Sequence, residues 1–84
     1  MKISVEISYY PLKEDYIKPI GAFIERLHTY EALVVRISGI STHIFGEYKD
    51  VMGAITNEIE TSFEVPHSVF VLKIINADLQ EIPD

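Results

Sequence analysis

Ala32-Leu-Val-Val-Arg-Ile-Ser-Gly-Ile-Ser-Thr-His-Ile-Phe-Gly-Glu-Tyr48 is the stretch on which the fold turns. It divides around Ser38-Gly39-Ile40-Ser41, a small, turn-forming run between two strand-forming stretches. Val35 and Ile37 share one parity before the turn, and Thr42, Ile44 and Gly46 share one after it. A turn of even length keeps both sets on one face, whereas an odd loop reverses one of them. Gly39 is expected to supply the positive φ that a tight hairpin turn wants. The segment therefore reads as two paired strands, and the rest of the chain must complete a sheet around them.

Working outward, residues 2–10 alternate Ile3, Val5, Ile7 and Tyr9 with Ser4, Glu6, Ser8 and Tyr10, the period of a half-buried strand. Residues 68–76 form a last strand that is apolar on both faces apart from Lys73. One face then packs on helices, and the other faces something else, such as a second subunit. Ile17, Ile20, Ile24 and Leu27, with Phe23 beside them, mark a first helix. Glu14 or Asp15 is placed to cap it; Pro19 is tolerated within its first turn but disfavours helical geometry at Lys18, so the regular helix is expected to begin only there. Val51, Met52, Ile55 and Ile59 mark a second helix, with Glu47 or Asp50 at its positive end and Pro66 beyond its close. The order strand, helix, strand, strand, helix, strand is the split β-α-β pattern of the ferredoxin-like fold. We expect an α+β domain over residues 1–84, with an antiparallel sheet in order 4-1-3-2. Right-handed crossovers place both helices on one face.

The chain has 84 residues, with seven Lys plus Arg against thirteen Asp plus Glu and a net charge of −6. Phosphate-backbone binding runs on clustered cations, so nucleic acid is a poor partner. There is no Cys, which excludes disulfides, zinc–thiolate sites and Cys nucleophiles. No apolar run approaches the ~18 residues of a membrane span, and MKISVEISYY alternates like a strand rather than a signal peptide. The expected setting is the cytoplasm, without membrane insertion. A domain this small is marginal alone, and oligomerisation is the expected remedy.

The face of the sheet away from the helices should carry Ser4, Glu6 and Ser8; Val34, Arg36 and Ser38; Ser41, His43 and Phe45; and Val69, Val71, Lys73 and Ile75. Glu6, Arg36, His43 and Lys73 lie on adjacent strands and can pair across the sheet. Such a mixture suits either a salt-bridged subunit contact or a polar cluster in an apolar small-molecule pocket. Catalytic patterns are weak. His28, His43 and His67 fall on a helix end, a strand and a loop, without the i, i+4 spacing of a helical metal pair. No Ser has a nucleophile-elbow context, and Gly39 to Gly46 lacks the Lys-Ser/Thr of a phosphate loop. Glu58/Glu60 and Asp78/Glu81 read as solvated carboxylates. The five tyrosines suit the edge of the core or stacking on a flat ring.

Three stretches together resemble one family. Glu6-Ile-Ser-Tyr-Tyr-Pro-Leu12 is similar to its first strand and Pro-Leu turn. Ser41-Thr-His-Ile-Phe-Gly-Glu47 is similar to its Thr-x-Ile-Glu-Gly third strand, and Asp50-Val-Met-Gly-Ala-Ile55 to the start of its second helix. The family is the YkoF-like, MTH-type thiamine-binding group, and the similarity runs in order along essentially the whole chain. It implies a ferredoxin-like domain that forms homodimers or homotetramers. It also implies binding of thiamine or its hydroxymethylpyrimidine part for salvage or transport support, without catalysis and with no required cofactor. Thr42, Gly46 and Glu47 match the third-strand motif, whereas Phe45 stands where the family has an acid. That replacement removes a charge-assisted hydrogen bond if the carboxylate contacts ligand, and offers an aromatic face instead.

An aminopyrimidine presents an amine donor and ring-nitrogen acceptors. Glu6, Ser8, Thr42, His43 and Glu47, with Phe45, are the candidate partners. Thr42 and Glu47 have the parity of the helix side, and Glu6, Ser8 and His43 that of the open face, so one pocket holds all of them only if strand 3 bends or bulges. The expected site lies near the strand 3 to helix 2 junction and a neighbouring subunit. Two other classes stand beside this one: a structural or regulatory oligomer without a specific ligand, and a small ferredoxin-like isomerase or monooxygenase. The first-strand turn, Pro11-Leu12-Lys13-Glu14, lacks the phosphate-cradling Arg loop of acylphosphatase-type chemistry.

Overall fold

The computed structural model describes residues 1–39 and 41–81. Its elements are β1 (Lys2–Pro11), α1 (Ile17–His28), β2 (Val34–Ile37), β3 (Thr42–Glu47), α2 (Tyr48–Ser62) and β4 (Ser68–Ile75). The sheet is antiparallel in order β2-β3-β1-β4, which is the expected ferredoxin-like arrangement. In the hairpin Val35 pairs with Ile44 and Ile37 with Thr42, so the connection is even and both inward sets share a face. Of its four residues, Ile40 lies outside the described ones. The Ser38 amide closes the turn on the Ser41 carbonyl at 2.9 Å.

The core lies between the sheet and the helices. Ile3, Val5, Ile7 and Tyr9 alternate inward from β1 and meet Phe23 and Leu27 of α1 and Val51, Ala54 and Ile55 of α2. Tyr9 stacks on Phe70 with centroids 4.3 Å apart and meets Phe23 edge-on at 5.6 Å. Burying large aromatics and aliphatics here supplies the main driving force, roughly 25 cal/mol per Å² of apolar area.

Four local expectations are corrected. Tyr16, not Glu14 or Asp15, is the N-cap of α1, and it makes no side-chain capping bond. Asp15 instead lies 3.9 Å from Lys18 Nζ. Pro19 falls at the third helical position, where an amide would have no intrahelical partner, so the helix starts upstream of it. Ile17, at the outer end of the apolar stripe, is 69% exposed. The glycine with positive φ is Gly46, not Gly39. A Cβ at Gly46 would sit 3.2 Å from Val51 Cγ2 and 3.3 Å from the Ala32 carbonyl, so what it permits is the close approach of α2 to β3. Glu58 is not solvated but 7% exposed. It accepts hydrogen bonds from Arg26 Nε and, at 2.6 Å, from the Tyr30 hydroxyl, while Arg26 Nη2 donates to Ser62 Oγ at 2.9 Å.

Beyond β4 the chain returns across the face away from the helices. Ser4 Oγ donates to the Ala77 carbonyl at 2.7 Å and accepts from the Leu79 amide at 2.9 Å. Arg36 Nη1 donates to the Gln80 carbonyl at 2.6 Å. Asp78 and Glu81 are exposed, as expected of solvated carboxylates.

Candidate functional site

Strand alternation and register set one row of side chains across the whole open face. Arg36 pairs with His43, His43 with Glu6, and Glu6 with Lys73. Glu6 lies at the centre of the row, with Oε1 3.6 Å from Lys73 Nζ and Oε2 3.6 Å from His43 Nε2. Ser41 Oγ donates to Glu6 Oε2 at 3.1 Å and lies 3.3 Å from His43 Nε2 and 3.2 Å from Ser38 Oγ. The Ser41 hydrogen bond, followed by the Lys73 and His43 charges, outweighs desolvation and holds the Glu6 carboxyl below its ordinary range.

Ser41, His43 and Glu6 invite comparison with a nucleophilic triad, but the geometry argues otherwise. Serine and carboxylate both address His43 through the same nitrogen, Nε2. A relay needs the acid on the opposite ring nitrogen, where it can orient the imidazole as base. Here the serine proton is directed to the carboxylate itself. The arrangement holds a carboxylate ionised and does not activate a hydroxyl.

Ser41 also reaches a second feature. A cavity of about 210 Å³ opens between α1 and the β2–β3 turn. Ile20, Phe23 and Ile24 of α1 give it an apolar wall, and Ser8, Ser38, Ser41 and Thr42 bring hydroxyl-bearing residues to it. Apolar walls with a few convergent polar groups are the ordinary make-up of a small-molecule site. A second hollow of about 340 Å³ lies between the start of α2 and residues 30–33. It is lined by Tyr30, Lys49, Asp50 and Asn57 among others, and by none of the expected ligand partners.

The candidate residues thus fall in three places. Glu6, His43 and Phe45 share the open face; Thr42 lies on the helix side; Ser8 joins Thr42 at the cavity. Strand 3 pairs regularly through this region, without a bulge that would merge the two sides. Glu47 stands apart as the N-cap of α2, and its carboxylate takes the N-terminal ammonium at 3.0 Å. Phe45 is 6% exposed, and Arg36 lies over its ring at 5.3 Å, so a cation already occupies one aromatic face. Ser38 and Ser41 were absent from the expected ligand partners. The signal is in the sequence, since they are the first and last residues of the turn on which the hairpin parity depends.

His28 ends α1 and His67 lies exposed before β4, both away from His43. Among the described residues no three His, Asp or Glu side chains are grouped as metal donors, and no helix is long and apolar enough to cross a membrane.

No protein-family model and no curated protein matches the chain. Solved structures do. A crystal structure of a Streptococcus pneumoniae protein is 22% identical, with a TM-score of 0.87, covering 98% of this chain and 93% of that one. A hypothetical protein from Methanocaldococcus jannascii is 25% identical, with a TM-score of 0.79, covering 92% of this chain and 81% of that one. A Thermotoga maritima protein, provisionally named for thiamine biosynthesis/salvage, is 20% identical, with a TM-score of 0.83, covering 92% of this chain and 85% of that one. The chain therefore shares its ferredoxin-like fold with proteins that include one provisionally named for thiamine biosynthesis/salvage.

Proposed function

We propose that this protein binds thiamine or its hydroxymethylpyrimidine part without transforming it, in cytoplasmic vitamin salvage or transport support. The observation that carries the reading is Ser41, which lines the cavity and whose hydroxyl bonds the ionised Glu6 carboxylate. A pyrimidine ring seats against Phe23 and Ile24. Its ring nitrogens take hydrogen bonds from the surrounding hydroxyls, and Glu6 accepts from its amine or faces an attached cation. The name of the Thermotoga maritima neighbour supports this choice of ligand. No cofactor is required by it.

Titration calorimetry with thiamine and with hydroxymethylpyrimidine tests the reading. Saturable binding of either is expected, and Glu6→Gln should weaken it by about 10-fold or more, the worth of a charge-assisted hydrogen bond. Silence from both ligands at high protein concentration would overturn it.

A second reading, pairing into a homodimer or homotetramer, has its own observation. Tyr10, Val69 and Val71 form an exposed apolar strip on the open face beside the free edge of β4. Pairing is compatible with ligand binding; as an alternative to it, the strip would make the chain a structural or regulatory oligomer.

A further inference from the structure

The open face is divided by the returning chain. Residues 77–81 start from β4 at one edge of the sheet, pass over Ser4 on β1 and reach Arg36 on β2 at the other edge. Beneath them lies the row Val34, Phe45, Ser4 and Ile75, which the register aligns across the four strands. Ser4 and Phe45, in the middle of the row, are each only 6% exposed, while Val34 and Ile75 at its ends stay exposed at 37% and 45%. On the other side of the Glu6 row, Val71, Val69 and Tyr10 remain uncovered. The segment thus covers the middle of one apolar band of the open face, and the charged Glu6 row separates that band from a second, uncovered one.

We infer that residues 77–81 form an intramolecular strap that competes with a second copy of this chain for the open face of the sheet. The inference rests on the pairing reading above. Three features point to a second copy as the competitor. Displacing the strap uncovers Phe45 between the already exposed Val34 and Ile75, which adds a second apolar band to the uncovered strip on the other side of the Glu6 row. The polar row carries both signs, with Glu6 among Arg36, His43 and Lys73. A two-fold-related copy can therefore set carboxylate against cation. The strap also carries Asp78 and Glu81 over a face whose edges bear Arg36 and Lys73, so it imitates part of that charge pattern.

The bonds that hold the strap are ones a partner can replace. Its carbonyls accept from Ser4 and Arg36, and its Leu79 amide donates to Ser4. No helix or strand forms within residues 77–81. Such a segment opens locally at far less cost than the sheet beneath it. A competitor at high concentration then shifts the population towards the unstrapped form.

The test compares the full chain with one ending at Asn76, and with the full-length variant Ser4→Ala, which keeps every residue of the strap and every charge of the Glu6 row but removes the two ties to β1. Light scattering across a thousandfold dilution reads association. Hydrogen exchange at the Leu79 amide reads the strap in the intact protein. Both altered chains should associate at least tenfold more tightly than the full chain. In the full chain, Leu79 protection should fall as concentration rises through the association range. Equal association of all three, with Leu79 protection constant, would overturn the strap while leaving pairing intact. Weaker association of the shortened chain would make the segment part of the interface and overturn competition. A monomer in every case would overturn pairing and the strap together.

Discussion

Glu6 and Gly46 show what single residues decide in this chain. The Glu6 carboxyl is held below its ordinary 4.5 chiefly by the Ser41 hydroxyl, then by the Lys73 and His43 charges. A folded-state pKa lower than the unfolded one means that the contribution to stability is fully present above about 4.5 and is lost as pH falls through the depressed value. Titration of Glu6 by NMR should therefore give a midpoint below 4.5, and Ser41→Ala should raise it; an unmoved midpoint would contradict the assignment of Ser41 as the dominant partner. Gly46 acts through space rather than charge. Gly46→Ala drives a methyl group towards Val51 Cγ2 and the Ala32 carbonyl, the latter a backbone atom with little freedom to give. We expect a loss of ~1–3 kcal/mol in urea unfolding, the usual cost of overpacking a filled site. A loss below a few tenths would show that α2 can slide away from β3.

The tie between α1 and α2 is the feature that local sequence could not disclose. Glu58 occupies the inner side of α2, and its partners Arg26 and Tyr30 come from α1 and the turn after it. A carboxylate on a helix reads as solvated until an oppositely charged group from a distant element is known to meet it. The pairing here spans 32 positions of sequence. The strap was hidden for the same reason, since Ser4 and Ala77 are 73 positions apart. The sheet was legible because its signals are local: a period of two in β1, equal parity across an even turn, and apolar residues on both faces of β4. Residues whose role follows from alternation, such as Glu6 and His43, were placed correctly on the open face. The meeting of Ser8 and Thr42 at one cavity depended on how α1 closes over the end of the sheet. Removing Arg26 leaves the Glu58 carboxylate buried beside Tyr30 alone. Arg26→Ala should cost about 2–3 kcal/mol, at or below the low end for a broken buried pair because the Arg26 side chain is one-third exposed. Arg26→Met with Glu58→Leu should recover much of that loss. If the double replacement is as damaging as the single one, the contact matters for shape and not for charge. Glu58 also raises the Tyr30 hydroxyl above its ordinary 10, mainly by accepting its proton in a hydrogen bond, with burial adding to the effect. That contribution is present below pH 10 and is lost as pH rises through the raised value.

For the molecule as a whole, the decisive fact is that the main core is one-sided. The cluster formed by β1, β3, α1 and α2 lies between sheet and helices, while no residue of β4 is fully buried. In 84 residues that leaves little surplus over the entropy of ordering the chain. Apart from Phe45, which the returning chain covers, apolar side chains on the outer face add little to the isolated fold and gain burial only when another body covers them. If a second copy does so, folding and association are linked, and stability depends on concentration. The midpoint of thermal unfolding should then rise with a hundredfold increase in protein, on the order of 5–10 °C for a domain of this size. Val71 separates the monomer from the assembly. It is 53% exposed and opposes Ser8 on the open face, so Val71→Lys should barely change the unfolding midpoint of dilute protein. At high concentration the same substitution should remove most of the rise, because it places an unpaired ammonium in the apolar strip. A midpoint independent of concentration in the unaltered chain, together with a monomeric mass, would mean that the one-sided core suffices and that the open face does not pair.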